Sequence, residues 1–323
     1  MKHSFSRRKK IFLSVTAGVV LVVFLAGAAG AAYISGKMDL LSRPSAGQGG
    51  SSQSGTDPGD AVLSFDGMDL SGIDVMENGG SIAPPDILKS KCALCIQPHP
   101  DDNEIGMGGT VAVLAQAGCT VHYLTVTNGD QGNKNRTASP QETARVRRAE
   151  AIAAGTHLGA KEFHFLDHGD GTLDDVLGLS AQIARVIREV RPDAIFAPDP
   201  WLAYESHLDH AVTGRAAANA FLMSGRAAIP GGGDTQPHAA SAIGYYFTAQ
   251  PNTVVDISAV FEKKFEAIAL HDSQMDAQTL AMYRVYFGMK GKELAAGKNF
   301  ALGEGLKVLS PLHAHCFVDA ARI

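Results

Sequence analysis

The sequence predicts an α/β fold: a Rossmann-like, three-layer α/β/α arrangement with a mainly parallel sheet. Three observations predict it. From residue 86 onward, short apolar runs alternate with longer patterns of helical period. Repeated β-then-α units of that kind place their strands in parallel with helices on both faces. Polar, chemistry-bearing residues follow directly after several of the runs, and ligands of open parallel sheets bind outside the carboxyl ends of the strands. With 323 residues, 45% of them hydrophobic and 19% charged, the chain has material for one large core plus accessory segments.

The elements follow in order. Residues 91–97 read as a short buried strand, and the glycine-rich stretch 103–109 leads into a helix over 110–118 that Gly118 stops. A second strand covers 121–127 and ends in the turn 128–132; a polar loop then runs to Pro140 and a helix over 142–158 is closed by Gly159. The third strand is 162–167 with the loop 169–171 behind it, the next helix 179–190, and the fourth strand 194–198. Residues 210–223 are helical, 229–238 form a glycine-rich loop, 243–247 and 253–257 are later strands, and 261–270 is another helix. The chain contains no internal repeat.

Ahead of this body the sequence changes character. Residues 1–10 form a basic tail containing Lys2, Arg7, Arg8, Lys9 and Lys10, and 11–35 are almost wholly apolar. About 20 such residues span a bilayer core, and a secretory h-region is shorter, so a retained transmembrane signal anchor is expected. The basic flank places the N-terminus in the cytoplasm and the body outside it, at the cell membrane; cleavage near the alanine-rich stretch 27–32 would instead release a secreted protein. Residues 36–60 are a flexible linker rich in glycine and serine, 61–85 an N-terminal arm with scattered apolar residues, and 86–323 the globular domain. The net charge is −5, and −10 once the five basic residues of the tail are set aside, which argues against nucleic acid as a partner. Glycines without the dinucleotide fingerprint spacing argue against a nucleotide cofactor. Cys92 and Cys95 lie in one strand, about 10 Å apart and on opposite faces, too far for a disulfide. A bridge between Cys119 and Cys316 stays open as an alternative to free thiols.

Three regions carry polar residues at strand ends: His99 with Asp101 and Asp102, Asn128 with Asp130, and the stretch from Asp199 to His210. The segment 207–210 adds two imidazoles flanking a carboxylate. A His, Asp and His set with an open position for water describes a catalytic zinc site, and a remaining carboxylate is placed to accept a proton from water. Taken singly, His99 to Asp102 also reads as a turn capping the next helix, and His207 to His210 as a helix cap. His313 and His315 would share a strand face, His271 sits at a helix end, and Asp174 and Asp175 start a helix.

The block 99–110, beginning His99, Pro100, Asp101, Asp102, resembles the opening motif of the LmbE/PIG-L family of zinc-dependent de-N-acetylases. Further stretches resemble that family in the right order: 127–132, Arg147 to Glu150 with Leu158 and Gly159, 170–173, 207–210 and 271–274. The resemblance implies that His99, Asp102 and His210 hold Zn2+, with another divalent metal as an alternative, and that Asp101 is the general base. It implies that His207 stabilises the oxyanion or protonates the leaving amine, that Arg147 and Asp170 contact the sugar, and that Asp209 orients an imidazole from behind. The chain departs from the family pattern at Asn103, where Glu is common, at Leu208, where Pro is common, and at Glu205, where the family often has tyrosine and this chain has Tyr204 alongside. The expected activity is removal of an acetyl group from an N-acetylated sugar of the N-acetylglucosamine type. Two alternatives are an amidase cutting larger acyl groups and a carbohydrate-binding surface protein without catalysis.

Overall fold

The computed structural model describes residues 83–133, 137–228 and 235–323. The expected anchor at 11–35, the linker at 36–60 and nearly all of the arm at 61–85 lie outside the described residues. Among the described residues no helix is long and apolar enough to cross a membrane.

The domain opens with a short 3-10 turn at Ile87–Lys89, then β1 (Cys92–Gln97), α1 (Asp102–Gln116), β2 (Thr120–Thr127), α2 (Pro140–Leu158) and β3 (Glu162–His168). It continues with α3 (Val176–Val190), β4 (Ala194–Pro198), α4 (Leu208–Met223), β5 (Ala242–Tyr246) and β6 (Thr253–Asp256). The last elements are α5 (Phe261–Ala269), α6 (Ala277–Leu294), β7 (Gly303–Leu309), α7 (Pro311–His315) and a 3-10 turn at Val318–Ala321. The seven strands form one sheet in the order β3-β2-β1-β4-β5-β7-β6. The first five are mutually parallel, and β7 runs antiparallel to both β5 and β6.

Alternation along β1 shows how the layers form. Ala93 and Cys95 face one core, which includes Met107 and Val111 of α1, Leu158 of α2 and Phe265 of α5. Leu94 and Ile96 face the other, which includes Ile183 of α3 and Ala216 of α4. A strand buried on both faces must read as a continuous apolar run, and this one does. The helix ends follow local rules: Ser139 accepts from Glu142 N at 3.2 Å with Pro140 opening α2, and Gly159 closes it at φ 111°. Asp175 caps α3 as expected, accepting from Gly178 N at 2.8 Å. All four cysteines are free, so the Cys119–Cys316 alternative is not realised.

Two expectations need correction. Helix α1 starts at Asp102 rather than at residue 110, directly behind the His-Pro-Asp-Asp turn, and Met107 breaks its regularity (φ −145°, ψ 23°). The glycines do not delay the helix; they let it lie against neighbouring elements. A Cβ at Gly106 would fall on the Tyr246 ring, and one at Gly109 would come within 2.6 Å of Ile257 Cγ2. His313 and His315 are not on a strand face. They lie in α7, which Pro311 opens and Ser310 caps through a reciprocal bond with His313.

The break in α1 is met by a side chain far away in sequence. Where the helix is irregular, Glu304 of β7 accepts from Gly109 N at 3.4 Å, Thr110 N at 2.6 Å and Thr110 Oγ1 at 2.7 Å. Lys264 of α5 donates to the same carboxylate at 2.6 Å, and both residues are buried. A buried charge is tolerated when it is paired and its lone pairs are filled. Glu304 thus serves as a cap in trans for the second half of α1.

Candidate active site

The strand order reverses at β1 and β4, since β2 leaves β1 to one side and β4 joins it on the other. Crevices of this type sit at the carboxyl ends of the two strands where the order switches. His99, Asp101 and Asp102 lie in the turn after β1, and His207, Asp209 and His210 lie at the start of α4 in the connection after β4. Asp170 follows β3, and Arg147 reaches in from α2. All eight site residues expected from the sequence converge at this point.

The donor atoms of His99, Asp102 and His210 lie within 4.8 Å of one another. Asp102 is their centre: Oδ2 is 3.1 Å from His99 Nδ1 and accepts from His99 N at 2.8 Å, while Oδ1 is 3.3 Å from His210 Nε2. The second nitrogen of each ring is turned toward a carboxylate. His99 Nε2 is 3.2 Å from Asp209 Oδ2, and His210 Nδ1 faces Glu205 Oε2 at 3.4 Å. Metal-ligating histidines show this pattern, because the outer carboxylate fixes the tautomer and ring orientation. The three residues therefore fit a divalent cation.

A second grouping of His99, Asp170, His207 and Asp209 is equally compact. It is the poorer ligand set. Both Asp209 oxygens are already taken by backbone donors, Gly171 N at 2.7 Å and Leu173 N at 3.3 Å. Asp170 is engaged by His99 Nε2 at 3.2 Å and by Arg147 Nη1 at 3.7 Å.

The electrostatics separate the carboxylates. Burial works against the charged form of Asp102, but His210 and His99 outweigh it and hold the carboxyl well below the usual range. For Asp101 burial dominates, and with the neighbouring Asp102 charge it overrides the pull of Arg147, so the pKa rises to about 6. Burial would lower His99, yet its bonds to Asp102, Asp170 and Asp209 push it up to about 12. His207 goes the other way: burial, then the charges of His99 and His210, hold it below the ordinary histidine value. Its ring centroid is 4.4 Å from that of His99.

Arg147 is a clamp as well as a lining residue. Its guanidinium donates to Gly129 O at 3.0 Å and Pro100 O at 3.3 Å, and lies 3.4 Å from Asp101 Oδ2. Gly129, at φ +67°, makes room for it, since a Cβ there would sit 2.7 Å from Arg147 Nη1. Asp101 has φ 150°, a left-handed backbone that a residue without special support avoids, and the clamp lies directly over it. His99, Asp101, Arg147, Asp170 and His207 line an open polar cavity of about 350 Å³ together with Gln131 and Gly132.

The segment behind His271 explains why two separate motifs belong together. Ser273 binds Glu150 of α2 through N at 2.8 Å and Oγ at 2.6 Å, and Gln274 Nε2 donates to Gly132 O at 2.6 Å. His271, fully buried, lies 3.2 Å from Glu104 of α1. These residues brace α1, α2 and the glycine turn around the cavity. Tyr204 does not take the place of a site tyrosine, because it is fully exposed at φ 70°. Glu205 occupies that role's position but faces His210. Sequence reasoning missed Lys264 and Glu304 entirely, and no motif marks them.

Outside the site, five other histidines have local partners. His122 and His164 bond each other at 3.2 Å, His157 meets Glu266, His168 meets Gln182, and His238 meets the Pro192 carbonyl.

Comparison with known proteins agrees with the geometry. The sequence model of the PIG-L family, described as GlcNAc-PI de-N-acetylase, matches residues 94–221, the stretch holding all eight site residues. A diacetylchitobiose deacetylase of Thermococcus kodakarensis is 37% identical over 238 residues, covering 69% of this chain and 88% of its own. A probable N-acetyl-alpha-D-glucosaminyl L-malate deacetylase 2 of Bacillus cereus is 31% identical over 189 residues, covering 57% and 84%. Among solved structures, the N,N'-diacetylchitobiose deacetylase from Pyrococcus horikoshii superposes with a TM-score of 0.69 at 32% identity, over 73% of this chain and 90% of that one. With its switch-point site and a relative of this identity and coverage, the chain belongs to the PIG-L family of de-N-acetylases.

Proposed function

We propose that this protein is a zinc-dependent hydrolase that removes the acetyl group from an N-acetylated sugar of the N-acetylglucosamine type, working outside the cytoplasm. The observation that carries the chemistry is the pairing of two unlike carboxylates: Asp102, held ionised between His99 and His210, and Asp101, raised to about 6 beside it. Two neighbouring groups with pKa values pushed apart divide ligand and base roles between them. A divalent cation held by His99, Asp102 and His210 would polarise the amide carbonyl and ease the loss of a proton from water.

Asp101 then accepts that proton as the water attacks the carbonyl carbon. Arg147 keeps Asp101 aimed into the cavity. His207, neutral near pH 7 because its pKa is lowered, offers an N–H to the developing oxyanion. The proton collected by Asp101 passes to the leaving nitrogen, and acetate and a free amine result. Arg147 and Asp170 present a donor and an acceptor to sugar hydroxyls in the polar cavity. Asp209 holds the His99 ring from behind.

The location is supported by the sequence: an apolar stretch at 11–35 behind a basic tail makes the protein a single-pass membrane enzyme, or a secreted one if the stretch is cleaved. The direct test is acetate release from N-acetylglucosamine, its oligomers and its conjugates by the metal-loaded protein, with zinc measured by elemental analysis. Bound zinc with no acetate release from any of them would leave an amidase acting on larger acyl groups or a carbohydrate-binding role without catalysis.

Metal uptake should depend on pH with a defined sign. In the metal-free protein His99 stays protonated up to about 12, and Asp102 and Glu205 raise His210 as well, against the opposing effect of burial. A ligating imidazole must be neutral, so binding expels protons. Zinc affinity is therefore expected to tighten as pH rises from 6 to 8, by about tenfold per pH unit for each proton released. Calorimetry in two buffers of different ionisation enthalpy measures both the affinity and the proton count. A zinc affinity flat across that range would contradict the assignment of His99 as a ligand.

A further inference from the structure

The amino ends of the strands carry a second group of donor side chains, on the rim away from the active site. His122 stands near the start of β2 and His164 near the start of β3, the last strand of the sheet. The register sets His122 opposite Glu162 and Leu124 opposite His164. Residues in register, or two apart along one strand, share a face, so both imidazoles and the Glu162 carboxylate belong to the same side. Leu124 continues that face into the core, while His122 and His164 are half-buried and Glu162 is exposed. At about 3.3 Å per residue, the run from His122 to Thr127 puts roughly 16 Å of strand between this group and the catalytic rim.

The two imidazoles are spaced as two ligands of one ion are. His122 Nδ1 and His164 Nε2 lie 3.2 Å apart, and the ring planes differ by 14°. Zinc binds imidazole nitrogen at about 2.0–2.1 Å, so two corners of its tetrahedron are about 3.3 Å apart. Without metal, one ring donates its N–H to the lone pair of the other. On binding, that hydrogen moves through solvent to the other nitrogen of its own ring. Both facing lone pairs then turn to the ion, and a neutral pair loses no proton. His122 suits this role, because burial and then His164 hold its pKa below the ordinary histidine value, against the pull of Glu162. Glu162 supplies an oxygen as third ligand, and water completes the shell.

We propose that His122, His164 and Glu162 form a second, structural site for a divalent transition metal, zinc foremost, separate from the ligand cluster at the catalytic rim. Imidazole donors with one carboxylate suit zinc, copper and nickel rather than magnesium or calcium. The ion would tie β3 to β2. Strand β3 lies at the edge of the sheet with β2 as its one neighbour, and its register shifts between Thr125 and Thr127. Asp170, in the wall of the polar cavity, comes two residues after β3 ends. A cation across the amino ends of both strands would therefore steady the element that carries Asp170. The inference is independent of the deacetylase function.

The test strips the full chain with a chelator, dialyses it against zinc, and reads elemental analysis together with calorimetry. The wild type is expected to hold two zinc ions per chain in two affinity classes, the weaker one at the amino ends of the strands. H122Q and H164Q should each lose the weaker class and fall to one zinc. H210A should lose the tighter class and keep the weaker. Zinc should raise the Tm of H210A, and that rise should be absent from the H210A/H122Q double variant. E162Q, at an exposed position that folding does not depend on, should weaken the second class and leave the first unchanged; it keeps the test open where a histidine variant does not fold. One zinc per chain in the wild type, a weaker class that persists in both H122Q and H164Q, or a second class unaltered in E162Q would overturn the proposal.

Discussion

Replacing Asp101 by Asn is expected to lower kcat by about 10²- to 10⁴-fold, the range a positioned general base contributes, while leaving zinc content unchanged. The separation follows from geometry. Asp101 is not among the three residues whose donor atoms group together, His99, Asp102 and His210, and its side chain meets Arg147, so its loss removes a proton acceptor rather than a ligand. The isosteric amide keeps the Arg147 contact and the helix start. In the metal-free protein burial raises the Asp101 pKa to about 6, and a cation bound at the neighbouring Asp102 would lower it. The rate of the zinc-loaded wild type should therefore rise with pH along an acidic limb at or below about 6, since only the ionised form accepts a proton. In Asp101→Asn this acidic limb should vanish along with most of the rate. Acetate release followed from pH 4.5 to 8, with elemental analysis of the same samples, checks both halves. Turnover at wild-type level in a metal-loaded Asn variant would sink the assignment.

Glu304→Ala should be among the most damaging substitutions for stability. It removes a carboxylate that accepts from Gly109 N, Thr110 N and Thr110 Oγ1 and pairs with buried Lys264. Breaking a buried pair from one side leaves an uncompensated charge and costs about 3–5 kcal/mol. For a domain of this size that is a fall in Tm on the order of 10 °C. The double substitution Lys264→Met with Glu304→Leu removes the charge problem but still leaves the freed N–H groups of α1 without an acceptor. It should therefore recover only part of the loss, and thermal unfolding of the wild type, single and double variants tests this. Full recovery would mean that the capping of α1 contributes nothing. Because α1 begins at Asp102, the single variant should also weaken zinc binding.

Much of the site was legible because its chemistry sits in short local patterns. The turn 99–102 and the segment 207–210 each carry their ligands within four residues, and strand runs ahead of both place them at one rim of a parallel sheet. Strand ends were found closely, as at β4, because buried parallel strands are continuous apolar runs with polar punctuation. Helix α6 and strand β7 were not found. Only Gly291 of α6 is fully buried, and its apolar residues are spread around the helix, so no clean amphipathic stripe marks it. The N-cap Asp276, accepting from Thr279 N at 2.8 Å, was the one local signal of where it starts. The early start of α1 was hidden by glycines that usually end helices and here permit close packing against Tyr246 and Ile257.

Sequence alone determined the fold class and the family resemblance, and the resemblance singled out the eight candidate site residues, because the motifs that carry it are short and local. The tertiary structure decided which of two donor groupings around His99 fits a cation, since only folding shows that the backbone of Gly171 and Leu173 already occupies Asp209. It set Asp101 apart from Asp102, two adjacent and chemically identical carboxyls, by burying one beneath Arg147 and the other between two imidazoles. It also brought α6, which begins seventy residues beyond His207, to the edge of the site and gave the cleft its apolar side. Burial and proximity are properties of the packed chain, and no local pattern encodes them.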